Sequence, residues 1–382
     1  MDYDFDTYVD RHKTSCFKWE FEKYSDPDMI PLWVADMDFK SPPEVIEALK
    51  KRVDHGIFGY TFPPKVLVEV VVDRLAARYK WNVDPEWIVW LPGIVSGINI
   101  TCRAFARTND EVLTATPVYY PFISAPANHN QQIVEVLLRK VGERWTFDFE
   151  AIEKSITDKT KIFLLCNPHN PVGTVYRRDE LLKLANICDK HDIIICSDEI
   201  HCDVLLDDEV KHIPIASLDE EVSKRIITLM APTKTFNLAG LSCSFAVISD
   251  KRLRAKFQMA QNGLVPFVNL FGYTASLAAY RDGNDWLVSL LDYLRGNADF
   301  LEDFVKKIPG FKMSRPEATY LAWIDIRDSK IIDPIKYFDS IGVGFSDGKV
   351  FGSPGFIRLN FGCPRFLLKE AMTRVKSAVL CR

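Results

Sequence analysis

Residues 162–201 read IFLLCNPHNPVGTVYRRDELLKLANICDKHDIIICSDEIH, and this stretch decides the fold. Its two ends, 162–166 and 193–197, are short and continuously apolar, as strands buried on both faces of a parallel sheet are. The segment between them places apolar residues on one face of a helix, at Leu181, Leu184, Ala185 and Cys188. The stretch therefore predicts a β-α-β unit, in which the two strands lie in one sheet.

The same alternation of apolar runs and helical segments extends from about residue 45 to about residue 285. We predict six strands of one sheet, at 111–115, 133–138, 162–166, 193–197, 226–230 and 244–248. Ser41-Pro-Pro-Glu44 reads as a capping box with a proline at the first helical position, and it predicts a helix that stops at Gly56. These elements indicate a large domain of mainly parallel α/β architecture.

The pattern changes from about residue 285 onward. A long helical segment to residue 307 is followed by a strand at 320–326, a glycine-rich stretch at 342–355, a strand at 357–360 and a final helix. We interpret these elements as a smaller α+β domain. The N-terminal arm, to about residue 40, lacks a core periodicity of its own, so we expect it to pack on this domain or on a partner subunit.

Composition excludes several classes of protein. The 382 residues carry 48 Lys+Arg and 52 Asp+Glu, a formal charge of −4, so a dedicated nucleic-acid-binding protein is not expected. No apolar stretch approaches the roughly 18 residues that cross a bilayer, and the acidic first residues do not resemble a secretory signal. The nine cysteines form no Cys-x-x-Cys pair, which predicts reduced and mostly buried thiols. We therefore expect a cytoplasmic protein that does not bind membranes.

Three polar segments follow predicted strands, where ligands of open α/β sheets collect. They contain Asn170 after the 162–166 strand, Asp198 after the 193–197 strand and Lys234 after the 226–230 strand. Each residue also has an ordinary interpretation: Asn170 as a turn residue, Asp198 as a helix cap and Lys234 as a surface lysine. Together, an amide, an acid and a lysine match the needs of pyridoxal phosphate, which takes an imine lysine, a carboxylate at its pyridine nitrogen and a donor to its ring oxygen.

Three further positions fit the same cofactor and an amino-acid substrate. Residues 91–97 lead with a glycine into a helical segment, whose first N–H groups could hold a phosphate, or which could simply be capped. Tyr119 could lie flat on the pyridine ring or pack in the core. Arg358 could clamp a substrate α-carboxylate, although an arginine on a strand is often a salt-bridge partner.

Eight segments, spread in order over nearly the whole chain, match one family. They are Pro31-Leu-Trp-Val-Ala-Asp36-Met-Asp38-Phe, Gly56-Ile-Phe-Gly-Tyr60, Thr116-Pro-Val-Tyr119, Asn167-Pro-His-Asn170-Pro-Val-Gly, Ser197-Asp198-Glu-Ile-His201, Thr233-Lys234-Thr-Phe-Asn237-Leu-Ala-Gly, Ala318-Thr-Tyr320-Leu-Ala-Trp and Arg358-Leu-Asn-Phe-Gly-Cys-Pro-Arg365. On these segments the chain resembles the fold-type I pyridoxal-phosphate enzymes of the class I/II aminotransferase family. Within that family it resembles the cystathionine β-lyase, or cysteine-S-conjugate β-lyase, group (the MalY/PatB branch).

The resemblance implies an aspartate-aminotransferase-like fold, with a seven-stranded-type sheet between helices in a large domain at 45–285. The small domain would be discontinuous, at 1–44 and 286–382. The resemblance also implies a homodimer, with the active site at the subunit interface and Tyr60 reaching the cofactor phosphate of the neighbouring subunit.

Residue roles follow from the same resemblance. Lys234 and Tyr60 are implied as catalytic residues. Cofactor-binding positions are implied at Lys234, Asp198, Asn170, Tyr119, Ile94, Val95, His201, Thr233 and Tyr60, and substrate-binding positions at Arg358, Trp33, Asn170 and Tyr119. One departure is visible, because Ala231 stands three residues before the lysine, where a phosphate-binding serine is often found. Thr233 could supply that hydroxyl.

The implied activity is α,β-elimination from a sulfur-containing amino acid, so that L-cystathionine gives homocysteine, pyruvate and ammonia. Two alternatives stay open: an aminotransferase built from the same residues, and a regulatory protein on a pyridoxal-phosphate scaffold. A metal site at Cys196, Asp198, His201 and Cys202 is disfavoured, because these residues lack recognised ligand spacing, and no metal is expected.

Overall fold

The computed structural model describes residues 3–20 and 28–381. Its helices are α1 (Phe17–Glu20), α2 (Pro43–Asp54), α3 (Lys65–Tyr79), α4 (Ile94–Phe105), α5 (Pro121–Ala127), α6 (Phe149–Ser155), α7 (Arg178–Lys190), α8 (Glu220–Ser223), α9 (Lys251–Gln261), α10 (Leu270–Asp282), α11 (Asn284–Val305), α12 (Pro334–Ser340) and α13 (Arg365–Leu380). Its strands are β1 (Ile30–Pro31), β2 (Ile88–Leu91), β3 (Glu111–Thr116), β4 (Gln132–Leu137), β5 (Arg139–Val141), β6 (Arg144–Thr146), β7 (Thr160–Cys166), β8 (Ile194–Asp198), β9 (Ile226–Met230), β10 (Ser244–Val247), β11 (Lys312–Met313), β12 (Leu321–Asp325), β13 (Val343–Gly344), β14 (Ser346–Asp347) and β15 (Phe356–Asn360).

The large sheet has seven strands in the order β2-β10-β9-β8-β7-β3-β4. Neighbouring strands are parallel except at β10, which runs antiparallel to both β9 and β2. All six predicted strands belong to this sheet, and the prediction of a mainly parallel α/β fold is confirmed. Sequence reasoning missed β2, and it did not predict the direction of β10.

Strand β7 shows why the large sheet is buried on both faces. Phe163 and Leu165 belong to the hydrophobic core on one face, whereas Ile162 and Leu164 belong to the core on the other. Successive side chains of a strand alternate between faces, so a continuous apolar run supplies both cores. Helix α7 covers the first core with the four apolar residues that the sequence places on one side of it.

A second, antiparallel sheet has the order β11-β12-β15-β14, and its core includes buried residues of α11 and α13. The N-terminal arm packs on this core through Phe5, Leu32 and Phe39, and β1 pairs in parallel with β13. The arm therefore packs on the elements of the predicted smaller domain, which is the first of the two positions expected from the sequence. The division of the chain at residues 45 and 285 stays a prediction.

The predicted capping box at the start of α2 is wrong. Helix α2 begins at Pro43, after Pro42, and no side chain caps it. Ser41 lies one residue too early to reach the first turn, and its hydroxyl instead donates to the carbonyl of Asn237 at 3.0 Å. The proline at the first helical position is confirmed, and Gly56 follows the helix end with φ +75° as the expected stop.

The expected state of the cysteines is confirmed: all nine are free, and seven of them are buried. Within the described residues, no helix combines the length and apolar character needed to cross a bilayer.

Candidate active site

Four parallel strands bring the predicted residues to one edge of the large sheet. Tyr119 follows β3, Asn170 follows β7, Asp198 ends β8 and Lys234 follows β9. These strands are neighbours in the order β9-β8-β7-β3, so their carboxyl ends lie side by side. The sheet therefore gathers an amide, an acid, an amine and a phenol at the edge where open α/β sheets bind ligands.

Asn170 joins this edge to the small sheet. Its side-chain oxygen accepts from Nη1 of Arg358 at 3.0 Å, and its backbone carbonyl accepts from the N–H of Tyr119 at 3.0 Å. Arg358 lies on β15, and its Nη2 donates to the backbone carbonyl of Trp33 at 2.8 Å. The predicted substrate-binding arginine therefore lies directly beside the predicted cofactor-binding amide.

Arg358 is a buried cation without a carboxylate partner among residues 3–20 and 28–381. Only 5% of its surface is exposed, and its guanidinium lies 4.7 Å from the ring centre of Phe351. Burial lowers its pKa to about 10, which leaves it charged at neutral pH. Its Nε has no hydrogen-bond partner in the described part of the chain. The side chain thus keeps charge and donor capacity for an anion.

Asp198 is also buried, with 5% of its surface exposed. One carboxylate oxygen accepts from the N–H of Ile200 at 3.0 Å. Burial raises the pKa of Asp198 to about 7, although Lys234 acts in the opposite direction. A carboxylate with so few partners gains most from a cationic N–H, and a protonated pyridine nitrogen would supply one.

Lys234 is half-buried, and its Nζ donates to the backbone carbonyl of Ala35 at 2.6 Å. The phenol of Tyr320 donates to the same carbonyl at 3.0 Å. Burial lowers the pKa of Lys234, and Arg358 adds to this effect, whereas Asp36 and Asp198 oppose it. A lysine with a lowered pKa holds a larger fraction of neutral, nucleophilic amine near neutral pH.

Tyr119, His201 and Thr233 lie around the same edge. The ring of Tyr119 packs edge-on against Tyr120 with centroids 4.9 Å apart. His201 is buried, its Nδ1 has no partner among the described residues, and burial lowers its pKa to about 3. Thr233 is buried and immediately precedes Lys234. The neutral imidazole and the hydroxyl are both able to donate to an anion.

Helix α4 starts at Ile94, after Gly93, with no side-chain cap. An added Cβ at Gly93 would meet nothing within 4 Å, so the space before the helix is open. Ile94 is buried and Val95 is exposed. The first backbone N–H groups of a helix lack internal partners, so this terminus suits a phosphate, as the sequence predicts.

Two predicted residues lie differently from the rest. Tyr60 is fully exposed in the connection between α2 and α3, and no hydrogen bond joins it to the other candidate residues in the described chain. Trp33 presents its backbone carbonyl to Arg358, while its indole N–H donates to the carbonyl of Lys18 at 3.1 Å. Both roles stay predictions.

Sequence reasoning missed the hydrogen bonds that hold residues 33–38 beside Lys234. The side-chain amide of Asn237 accepts from the N–H of Met37 at 3.0 Å and donates to the carbonyl of Met37 at 2.9 Å. The side-chain amide of Asn360 donates to the carbonyl of Asp36 at 2.6 Å. Both asparagines lie in segments that carry the family resemblance, at 233–240 and 358–365. Apart from that resemblance, the sequence does not indicate that they hold residues 33–38. No group of three or more metal-ligating side chains occurs in the part of the chain that the structure describes.

A family model described as Aminotransferase class I and II matches residues 27–375. The chain belongs to this family. The cystathionine beta-lyase PatB of Bacillus subtilis is 38% identical over 386 residues, covering 98% of this chain and 99% of PatB. Among solved structures, OvoB is 46% identical with a TM-score of 0.96, and it covers 99% of both chains. Cystalysin from Treponema denticola, which contains pyridoxal 5'-phosphate, is 34% identical with a TM-score of 0.96 and full coverage of both chains.

These similarities confirm the predicted resemblance to the pyridoxal-phosphate enzymes of the class I and II aminotransferase family and to their cystathionine β-lyase branch. They extend over the whole chain, so the large sheet, the small sheet and the residues between them are all part of the match. In this aminotransferase-family fold, the residues gathered at the sheet edge are the candidate active site.

Proposed function

We propose that this chain is a pyridoxal-phosphate-dependent carbon–sulfur β-lyase that cleaves L-cystathionine and related cysteine S-conjugates. With cystathionine and one water, the products are homocysteine, pyruvate and ammonia. Similarity to PatB over the full chain supports the reaction, and the residues around Lys234 support the cofactor. A cytoplasmic location is proposed because nine free cysteines suit a reducing compartment.

The observation that carries the proposal is the buried guanidinium of Arg358 beside Asn170. A buried cation is costly unless an anion or several hydrogen bonds compensate for its lost hydration. Its Nη atoms have oxygen partners, but no carboxylate in the described chain pairs with it. An α-carboxylate would complete that site through two parallel hydrogen bonds, with the backbone of Trp33 at its edge.

Bound pyridoxal phosphate supplies an aldehyde that captures the substrate amine and a protonated ring that stabilises negative charge at Cα. Lys234 would hold the cofactor until the substrate amine displaces it, and its freed, neutral amine would then take the proton from Cα of the substrate. Asp198 would keep the ring nitrogen protonated, Asn170 would donate to the ring oxygen, and Tyr119 would lie against the ring. The Cβ–S bond would then break, with its electron pair leaving on sulfur as a thiolate.

We assign the cofactor phosphate to the start of α4. The backbone N–H groups of Ile94 and Val95 would donate to it at this uncapped helix start, and Thr233 would supply the hydroxyl that Ala231 lacks. His201 offers a buried nitrogen that has no partner among the described residues. The positive end of the helix dipole adds to the attraction.

A homodimer is proposed because large apolar side chains close to Tyr60 in the sequence, and also Phe267, are exposed. The exposed fractions are 66% at Ile57, 89% at Phe62 and 83% at Phe267, and the ring of Phe58 contacts that of Phe271. Exposed apolar patches of this kind mark protein interfaces. Tyr60 would then donate to the phosphate in the partner's site.

Mixing two inactive variants tests this arrangement. A dimer of one Tyr60→Ala subunit and one Lys234→Ala subunit contains one intact site and one doubly altered site. Random mixing after co-refolding should restore about a quarter of wild-type activity, since half of the dimers are hybrids. If the mixture stays as inactive as its parents, Tyr60 does not act across an interface.

An aminotransferase is the second candidate, since the matching family model carries that description. The proposed lyase and an aminotransferase differ in whether a keto acid is needed. The test supplies cystathionine alone and follows pyruvate and free thiol, with Lys234→Ala as the inactive control. Repeated turnover supports the β-lyase, whereas a single turnover that leaves the amine on the cofactor supports the aminotransferase.

A further inference from the structure

Residues 33–38, which we call the strap, run beside Lys234 and are held by the site itself. The carbonyl of Trp33 accepts from Arg358 at 2.8 Å, and that of Ala35 accepts from Lys234 at 2.6 Å. The carbonyl of Asp36 accepts from Asn360 at 2.6 Å. The position of the Lys234 amine therefore depends on where the strap lies.

Two charged side chains of the N-terminal arm also hold the strap. Arg11 donates to the carboxylate of Asp36 at 2.7 Å and to that of Asp38 at 2.7 Å. Lys18 donates to Asp38 at 2.6 Å, and its Nζ lies 3.8 Å from Asp36. Trp19 completes the group by donating to Asp38 at 2.9 Å. Two cations of the N-terminal arm thus balance two carboxylates of the strap.

The burial of this cluster is unusual for a structural contact. The side chain of Lys18 is fully buried and that of Asp38 is 3% exposed. Buried ion pairs rarely stabilise a fold more than well-packed apolar residues of the same size would. A second role at this position would account for the charges, and Lys234 donates to the carbonyl of Ala35, the residue before Asp36.

We propose that Asp36 is a positioning residue for Lys234, and that Arg11 and Lys18 set how strongly it acts. Asp36 follows Ala35 directly, so its ion pairs fix the carbonyl that holds the amine. Its carboxylate also adds negative potential at Lys234, partly cancelled by the two arm cations. This inference rests on the proposed role of Lys234 as the cofactor-binding lysine.

The other charged and titratable groups around Lys234 come from different elements. Asp198 lies at the end of β8, His201 lies in the following loop, and Arg358 lies on β15. Tyr320 precedes β12 and shares the Ala35 carbonyl with the amine. Lys18 and Arg11 lower the pKa of Asp36 against the effect of burial, so Asp36 stays ionised at neutral pH.

The test is the pH midpoint of the absorbance band of the lysine-bound cofactor, near about 420 nm when protonated. Asp36→Asn removes a negative charge, so the midpoint should fall by about 0.5 pH unit or more. Arg11→Met leaves Asp36 less neutralised, so the midpoint should rise by a similar amount. Arg11→Lys keeps the charge and should restore the wild-type midpoint.

Arg144→Met is the matched control. Arg144 also belongs to a cluster of two cations and two carboxylates, with Glu180 at 2.7 Å, Glu317 at 3.3 Å and Arg177 as the second cation. Its side chain is 26% exposed, against 24% for Arg11. No hydrogen bond links it to the strap or to Lys234 in the described chain. The control should lose thermal stability without moving the midpoint.

Opposite shifts in Asp36→Asn and Arg11→Met, with an unchanged control, support the inference. Shifts of less than about 0.1 pH unit in both variants, or shifts of the same sign, overturn it, because a merely structural cluster gives no sign reversal. If Arg11→Met does not fold, Asp36→Asn alone decides by the direction of its shift. Absence of the band from wild-type protein, or its persistence in Lys234→Ala, instead overturns the proposed role of Lys234.

Discussion

Replacing Arg358 with methionine removes the proposed carboxylate clamp and keeps a long side chain in the cavity. Hydrogen bonds to a charged group contribute about 1.5–3 kcal/mol each. In this structure Nη1 and Nη2 already donate to Asn170 and to the carbonyl of Trp33, so a substrate carboxylate replaces existing bonds. A net loss of about 3 kcal/mol corresponds to a fall of about 150-fold in kcat/KM.

The assay is the initial rate of pyruvate release from cystathionine at several substrate concentrations. KM should rise more than kcat falls, and Arg358→Lys should lie between the two, because lysine keeps the charge without the planar fork. A substrate analogue that keeps the amine and the Cβ–S bond but lacks the α-carboxylate should react equally slowly with wild type and Arg358→Met. The reasoning is refuted if Arg358→Met keeps its 420 nm band and its kcat/KM stays within about threefold of wild type.

Two further predictions concern stability. The raised pKa of Asp198, about 7, means that the folded cofactor-free protein binds this proton more tightly than the unfolded chain. Its stability should therefore fall as pH rises from about 4 to about 7. Asp198→Asn should remove that part of the decline, as thermal unfolding across this range will show, and identical pH profiles would count against it. Gly173 has φ +72°, and a Cβ there would lie 2.5 Å from Pro316, so Gly173→Ala should lower the free energy of unfolding by about 2–4 kcal/mol. Gly142, with φ +59° and nothing within 4 Å, is the control and should lose about 1 kcal/mol in urea unfolding; equal losses at both positions would contradict the clash.

The fold was predictable where apolar runs are continuous. The β7 and β8 strands and the face of α7 follow directly from the sequence, because burial on both sides of a sheet leaves no polar position. Strand β2 was missed because it has only four residues and is followed at once by Pro92-Gly93. So short an apolar run does not distinguish a strand from a loop. The antiparallel direction of β10 could not be predicted either, because the composition of an apolar strand does not indicate the direction in which the strand runs.

Candidate site residues could be found in the sequence where side chains carry the chemistry. Lys234 and Asn170 follow strands and Asp198 ends one, and parallel strands bring such positions together. The carbonyl of Ala35 has no sequence signal, because every residue has a carbonyl and only the path of the chain brings this one to Lys234. Lys18 was missed for a similar reason, since a lone lysine reads as a surface residue until its burial is known.

The central claim is that Lys234 carries pyridoxal phosphate. Borohydride reduction of the cofactor-replete protein, followed by proteolysis and mass spectrometry, tests it most directly. We expect the peptide that contains Lys234 to gain the mass of the reduced cofactor, and the 420 nm band to disappear with the same reduction. Recovery of that peptide unmodified, or of the added mass on a different lysine, would contradict the claim.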